Sequence, residues 1–174
     1  MSILIAIYIY RWWTGGHKIL ASVLLVLLIV SNLSTIFKEN QKGQTLFAIQ
    51  KDMILTNQLQ AVDYTYKKAS GETFSTNALT SPLNTNIVWA YLYKWYGQEK
   101  YGYAPYWHGP SQVGQVIVLE EGAVADKHFL FIEPLEGIPL DQLHLKIGEE
   151  NALSKIITET NYESIVVQER SRYE

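Results

Sequence analysis

The chain of 174 residues has no cysteine. That rules out a disulfide framework and leaves both an extracytoplasmic and a cytosolic domain open. Basic charge is scarce once the N-terminal region is passed. Arg11, Lys18 and Lys38 precede Glu39, so 11 of the 14 basic residues and all 17 acidic residues follow, a net charge of −6. A nucleic-acid partner needs a basic surface to meet the phosphate backbone, so none is expected. The same balance disfavours close docking on anionic lipid headgroups. No serine sits in a nucleophile elbow and no glycine-rich phosphate loop is present. His108, His128 and His144 stand at no metal-ligand spacing, so no metal and no cofactor is implied. Glu120, Glu121, Asp126, Glu133 and Glu136 offer carboxylates for acid–base work, but acidic residues at strand ends and turns are usually solvated. There is no internal repeat or low-complexity tract.

Charge is missing altogether between residues 19 and 37, Ile-Leu-Ala-Ser-Val-Leu-Leu-Val-Leu-Leu-Ile-Val-Ser-Asn-Leu-Ser-Thr-Ile-Phe. At 1.5 Å per residue a helix of this length spans about 28 Å, close to the roughly 30 Å hydrocarbon core of a bilayer. Soluble core helices are rarely apolar all round for so long. A signal peptide is the rival reading, with Arg11 to Lys18 as its charged region and residues 19–30 as its apolar stretch. No small-x-small cleavage site follows, which favours an anchor. Residues 3–10 form a shorter apolar run, read together with the loop up to residue 18 as the end of a preceding membrane segment. Trp12 and Trp13 beside Arg11 fit an interfacial belt. Lysines and arginines flank both sides of the span, so charge does not orient it. The expected organisation is therefore 1–18, a transmembrane helix over 19–37, and a soluble domain over 38–174.

Within that domain the spacing of Ile49, Met53, Ile54, Leu59, Val62 and Tyr66 predicts an amphipathic helix over 46–69, stopping at Gly71. Residues 73–79 read as a strand. Ser81-Pro82 reads as the start of a helix running to Tyr96, with Gly97 as its stop. Its expected core rows are Leu83, Ile87, Tyr91, Trp95 and Val88, Leu92, Tyr96. Residues 98–112 form a loop. Runs at 115–120 and 127–133 have strand character, residues 139–147 have a helical face, and 153–160 and 163–170 suggest a hairpin turning at Asn161-Tyr162. The sum is an α+β domain with helices packed on one face of a mainly antiparallel sheet.

The densest local feature is the aromatic stretch from Trp89 to Trp107. Aromatic faces stack on sugar rings and other flat apolar surfaces, and tyrosine hydroxyls add hydrogen bonds. Tyr91, Trp95 and Tyr96 fall on the expected core face. Trp89 and Tyr93 fall off it, and Tyr106 and Trp107 fall in the loop. These four are the candidate ligand-binding or membrane-surface residues; no catalytic residue is assigned.

Ala61-Val62-Asp63-Tyr64-Thr65-Tyr66-Lys67, then Ala69-Ser70-Gly71, Ser81-Pro82, Tyr91-Leu92-Tyr93-Lys94-Trp95-Tyr96-Gly97 and Lys100-Tyr101-Gly102-Tyr103 resemble the C-terminal region of bacterial multi-pass membrane glycosyltransferases. These enzymes are related to dolichyl-phosphate-mannose protein mannosyltransferases. Phe129-Leu130-Phe131-Ile132-Glu133-Pro134 and Ser164-Ile165-Val166-Val167-Gln168-Glu169-Arg170 fit the same pattern, so the likeness runs over about 19–172. It implies an extracytoplasmic module at the cell membrane, beside a helix bundle that uses a polyprenyl-phosphate-linked sugar. The catalytic acid of that family lies in an upstream loop without counterpart here. The partners implied are the bilayer, upstream membrane helices of the same enzyme, and a glycan or acceptor polymer. The run at 115–120 departs from the pattern. The alternative is a free-standing, membrane-anchored envelope protein that binds a ligand or serves a structural role.

Overall fold

The computed structural model describes residues 2–39, 52–136 and 138–173. They belong to two compact units, Met1–Gly43 and Gln44–Glu174. The first unit is a helical hairpin of α1 (Ser2–Thr14) and α2 (Lys18–Glu39). Gly16, at φ 88, makes the turn between them. Ala21 is fully buried, whereas Val26, Leu27, Ile29 and Val30 project outward. Among the described residues one helix, Lys18–Lys38, is long and apolar enough to cross a membrane, with mean hydropathy 2.5; near the N-terminus this fits an anchor or a signal sequence. Two of its polar side chains fold back onto their own helix. Asn32 Nδ2 donates to Leu28 O at 2.8 Å and Thr35 Oγ1 to Ser31 O at 3.1 Å, which removes part of their cost in hydrocarbon.

The second unit is α+β. Its elements are α3 (Leu55–Ala69), β1 (Ser75–Leu79), α4 (Ile87–Leu92), a π-helical turn (Tyr93–Gly97), α5 (Gln98–Tyr101), β2 (Tyr106–Trp107), β3 (Lys127–Ile132), α6 (Leu140–Leu153), β4 (Ser154–Tyr162) and β5 (Ile165–Arg172). The sheet order is β2-β1-β3-β5-β4. β1 runs parallel to both β2 and β3, while β3-β5-β4 is antiparallel and supplies most of the pairing. β4 is an exposed edge strand with a bulge between Ile156 and Thr158.

Strand pleating sorts the sheet into two chemically different faces. Phe129 and Phe131 of β3 share one side with Val167 of β5 and with Thr76 and Ala78 of β1. That side packs against α3 and the aromatic helix formed by α4, the π-helical turn and α5: Tyr64 and Phe74 meet Phe129 edge-on at 6.3 and 5.3 Å, and Trp89 lies 4.2 Å from Phe131. His128 and Arg170, paired in register, point to the other side with Ser75 and Asn77. There they meet α6 through hydrogen bonds. Helices therefore cover both faces, not the single face expected. α6 lies opposite the others because its contact with the sheet is polar and joins residues of the alternate phase.

Further differences have local causes. α3 begins at Leu55; the expected positions 46–51, Ile49 among them, lie outside the described residues. It ends at Ser70, itself left-handed at φ 55, whose N–H donates to Tyr66 O. Ser81-Pro82 is a cis bond in a loop, not a helix start. That loop is held by Thr80, whose hydroxyl donates to Pro82 O and accepts from Thr85 N–H. The helix continues through Gly97 to Tyr101 and stops at Gly102, φ 86. Residues 115–120 form no strand; only Glu121 makes a bridge, to Trp107. The β4–β5 turn falls at Glu163-Ser164, where Glu163 takes φ 55.

Candidate functional site

Where β1 meets α6, buried polar groups form a continuous chain. His128 Nε2 contacts Glu150 Oε2 at 3.1 Å, and His128 Nδ1 contacts Ser75 Oγ at 2.8 Å. An ionised carboxylate only accepts, so Nε2–H donates to Glu150 and Nδ1 accepts from the serine hydroxyl. Asn77 Nδ2 donates to Glu150 Oε1. Arg170 continues the network, donating from Nε to Ser154 Oγ at 2.8 Å and from Nη2 to Asn151 Oδ1 at 2.6 Å. Burial pushes the Glu150 carboxyl upward, but the His128 and Asn77 hydrogen bonds and the Arg170 charge outweigh it and hold the group below its ordinary value.

Hydroxyl, imidazole and carboxylate in a row suggest a nucleophilic relay. The geometry gives the row a structural use instead. Ser75 is fully buried, and its oxygen already accepts from Ala125 N–H at 2.9 Å. His128 is equally buried. A substrate carbonyl has no approach to that oxygen, so the row ties α6 to the sheet.

Beside it opens a small pocket of about 220 Å³ of mixed character, lined by Asn77, Asn84, His108, Lys146, Glu149 and Glu150 and by the apolar Ala78, Leu79, Pro110 and Leu153. Its wall depends on Gly109, where a Cβ would collide with the Asn77 side chain and come within 2.5 Å of Trp107 Cζ2. His108 Nδ1 bonds to Gly122 O at 3.1 Å, which directs its other nitrogen away from that carbonyl. Lys146 pairs with Glu149 at 2.8 Å. Donors and acceptors of both signs close together suit a neutral, polyhydroxylated ligand better than an ion.

Three of the four sequence-derived site residues are elsewhere than expected. Trp89 and Tyr93 are fully buried, and Trp107 is a strand residue 1 % exposed. Trp89 Nε1 donates to Glu133 Oε1 at 2.8 Å, Tyr93 Oη bonds Thr65 Oγ1 at 3.1 Å, and Trp107 Nε1 donates to Pro110 O at 2.8 Å. None of the three has a face left for a ligand. Tyr106 alone is at the surface, 37 % exposed, where it lines an open cleft of about 550 Å³ with Lys94, Gln98, Tyr103 and Glu120. Conversely Tyr91 and Trp95, assigned to the core, are exposed. Between Ile87 and Tyr96 the helix has apolar residues on every side and one charge, Lys94, so its periodicity sets no phase. Gly97 sets it, because only a residue without a side chain fits against the Tyr66 ring.

Of the acidic candidates, Glu133 is buried and accepts from Ser81 N–H as well as Trp89; burial raises its carboxyl above the usual value despite these bonds. Glu120, Glu121, Asp126 and Glu136 are exposed. His108 and His128 meet edge-on at 6.1 Å, while His144 is exposed on α6. Among the described residues no group of three His, Asp or Glu side chains is placed to hold a metal. Asp63 collects Lys100, Tyr96 and Tyr101 at 2.9, 3.1 and 2.8 Å; burial raises its carboxyl, but these donors outweigh that and lower it. The Glu150 network left one faint mark in the sequence, a histidine amid the apolar run of β3. No protein-family model, curated protein or solved structure matches the chain.

Proposed function

We propose that this chain is the C-terminal, extracytoplasmic module of a membrane glycosyltransferase that uses a polyprenyl-phosphate-linked sugar, and that the catalytic centre lies outside it. One observation carries this reading. The scattered segments on which the resemblance rests converge in space. Tyr66 of α3 stacks on Tyr101 at 4.2 Å and meets Tyr103 edge-on at 5.1 Å. Asp63 of the same helix gathers Tyr96, Lys100 and Tyr101. Phe129 and Phe131 of β3 and Val167 of β5 complete the core beneath them. Residues quoted for one sequence pattern thus form one packing unit, and that unit follows an apolar helix of membrane length. Its task would be to cover the catalytic bundle or hold the acceptor.

The coding sequence upstream of Met1 tests the proposal. A reading frame continuous with several apolar segments is the expected result. A start site that yields only this chain would refute it and favour the second reading, an anchored envelope protein that binds a small polyhydroxylated ligand. The pocket bounded by Asn77, His108 and Glu150 favours that alternative. Titrating the full chain in detergent with monosaccharides, alongside a Lys146→Ala variant that alters the rim of the pocket, tests it separately.

A further inference from the structure

An apolar, aromatic surface lies on the aromatic helix and the loop that follows β2. Tyr91 and Trp95 stand one turn apart, both over two-fifths exposed, their rings stacked at 5.5 Å and 23°. With Lys94 they form one wall of a shallow groove of about 410 Å³ whose other wall is Val116, Ile117 and Val118. Val118 also lines the next depression, with Val113, so the surface is continuous. Val113 and Val116 are each 91 % exposed. They stand proud of the domain as tips and do not form the floor of a socket.

We infer that this surface inserts into the interfacial layer of the bilayer that anchors the chain. A contiguous exposed apolar patch marks an interaction site. This one has the composition of a membrane interface, with a tryptophan and a tyrosine, protruding aliphatic tips, and a lysine whose stem can lie along them with its ammonium at the phosphate level. Reach favours the same occupant. Fifteen residues separate Glu39, the end of α2, from Leu55, the start of α3, at most about 50 Å of stretched chain. Tethering so short keeps the local lipid surface at high effective concentration, so a few shallow side chains suffice. A second copy of the chain is the rival occupant. The domain's net negative charge means that insertion depends on apolar contact, hence on zwitterionic lipid and with little response to salt. The inference rests on the anchor reading for α2.

The absence of cysteine permits a direct test. A nitroxide attached to Val116→Cys in the full chain, reconstituted in phosphatidylcholine vesicles, reports its depth through collision rates with oxygen and with a water-soluble nickel chelate. The reference is the same label at Glu159→Cys on exposed β4. Expected is a nickel collision rate several-fold lower at 116 than at 159, with oxygen favoured at 116. Adding Tyr91→Ala and Trp95→Ala, both surface changes, should return 116 to the value at 159. Equal nickel access at the two positions, in a chain that resists carbonate extraction, overturns this inference and leaves the anchor intact. Extraction by carbonate overturns both. Protection at 116 that vanishes when each vesicle holds a single copy identifies a second chain as the occupant and overturns the bilayer assignment.

Discussion

Glu150→Ala should be among the most damaging single changes in the second unit. The carboxylate is 4 % exposed and is the acceptor for two buried donors, His128 Nε2–H and Asn77 Nδ2. Alanine orphans both. A buried unsatisfied donor costs about 1–3 kcal/mol, so with two of them a loss of about 2–6 kcal/mol is expected. Glu150→Gln should cost only about 1 kcal/mol. Its oxygen still accepts from Asn77, its amide can donate to His128 Nε2, and the imidazole proton moves to Nδ1, where Ser75 Oγ accepts it. The assay is urea unfolding of the full chain in detergent micelles at pH 7, followed by far-ultraviolet circular dichroism. The sign of the pH dependence follows from the depressed carboxyl. Its stabilisation is fully present above the unfolded value of about 4.3 and is lost as pH falls through the folded value, so the gap between wild type and Glu150→Ala should narrow on acidification. An alanine penalty under about 1 kcal/mol, or equal penalties for alanine and glutamine, would refute the account of this network.

Other expectations concern the aromatic face. Trp89→Ala should cost about 3–5 kcal/mol in the same assay, whereas Trp95→Ala, on the exposed side, should cost under about 1 kcal/mol. Gly97→Ala should destabilise despite alanine's helix propensity, because its Cβ would lie 2.5 Å from the Tyr66 hydroxyl; overpacking costs about 1–3 kcal/mol, against a propensity gain of about 0.5–1 kcal/mol. A neutral result in melting experiments would mean that Tyr66 yields freely. Glu133 should show the opposite pH sign to Glu150. Its folded carboxyl is raised, so its contribution is largest below the unfolded value and declines as pH rises through the folded one. Subtracting Glu133→Gln unfolding data from wild type between pH 4 and 8 should show that decline.

The membrane-length helix and α3 were legible because each shows one dominant signal, an uncharged run or a clean amphipathic spacing. β1, β3 and the final hairpin were legible from β-branched and aromatic runs between turn residues. The phase of the aromatic helix was not, since Ile87 to Tyr96 has apolar residues on every side with Lys94 its one charge, and the deciding contact, Gly97 on Tyr66, spans 31 residues. The same failure displaced the candidate site, exchanging Trp89 and Tyr93 for Tyr91 and Trp95 at the surface. The Glu150 network stayed hidden for a different reason. Ser75, His128 and Glu150 are isolated polar letters in three segments, and only the parallel β1–β3 pairing and the packing of α6 on the sheet, which no local pattern announces, bring them into contact.

The bulge in β4 has a bearing on crowding. Under the anchor reading of α2, molecules held in one plane encounter one another at far higher local density than in free solution, and an outer strand with unpaired amides is a template on which a neighbour can add its own strand. The register break between Ile156 and Thr158 interrupts the regular spacing such an addition requires, and Lys155 and Glu159 stand exposed on either side of it. Straightening that edge by deleting Ile157 would be expected to convert a well-dispersed population into lateral aggregates.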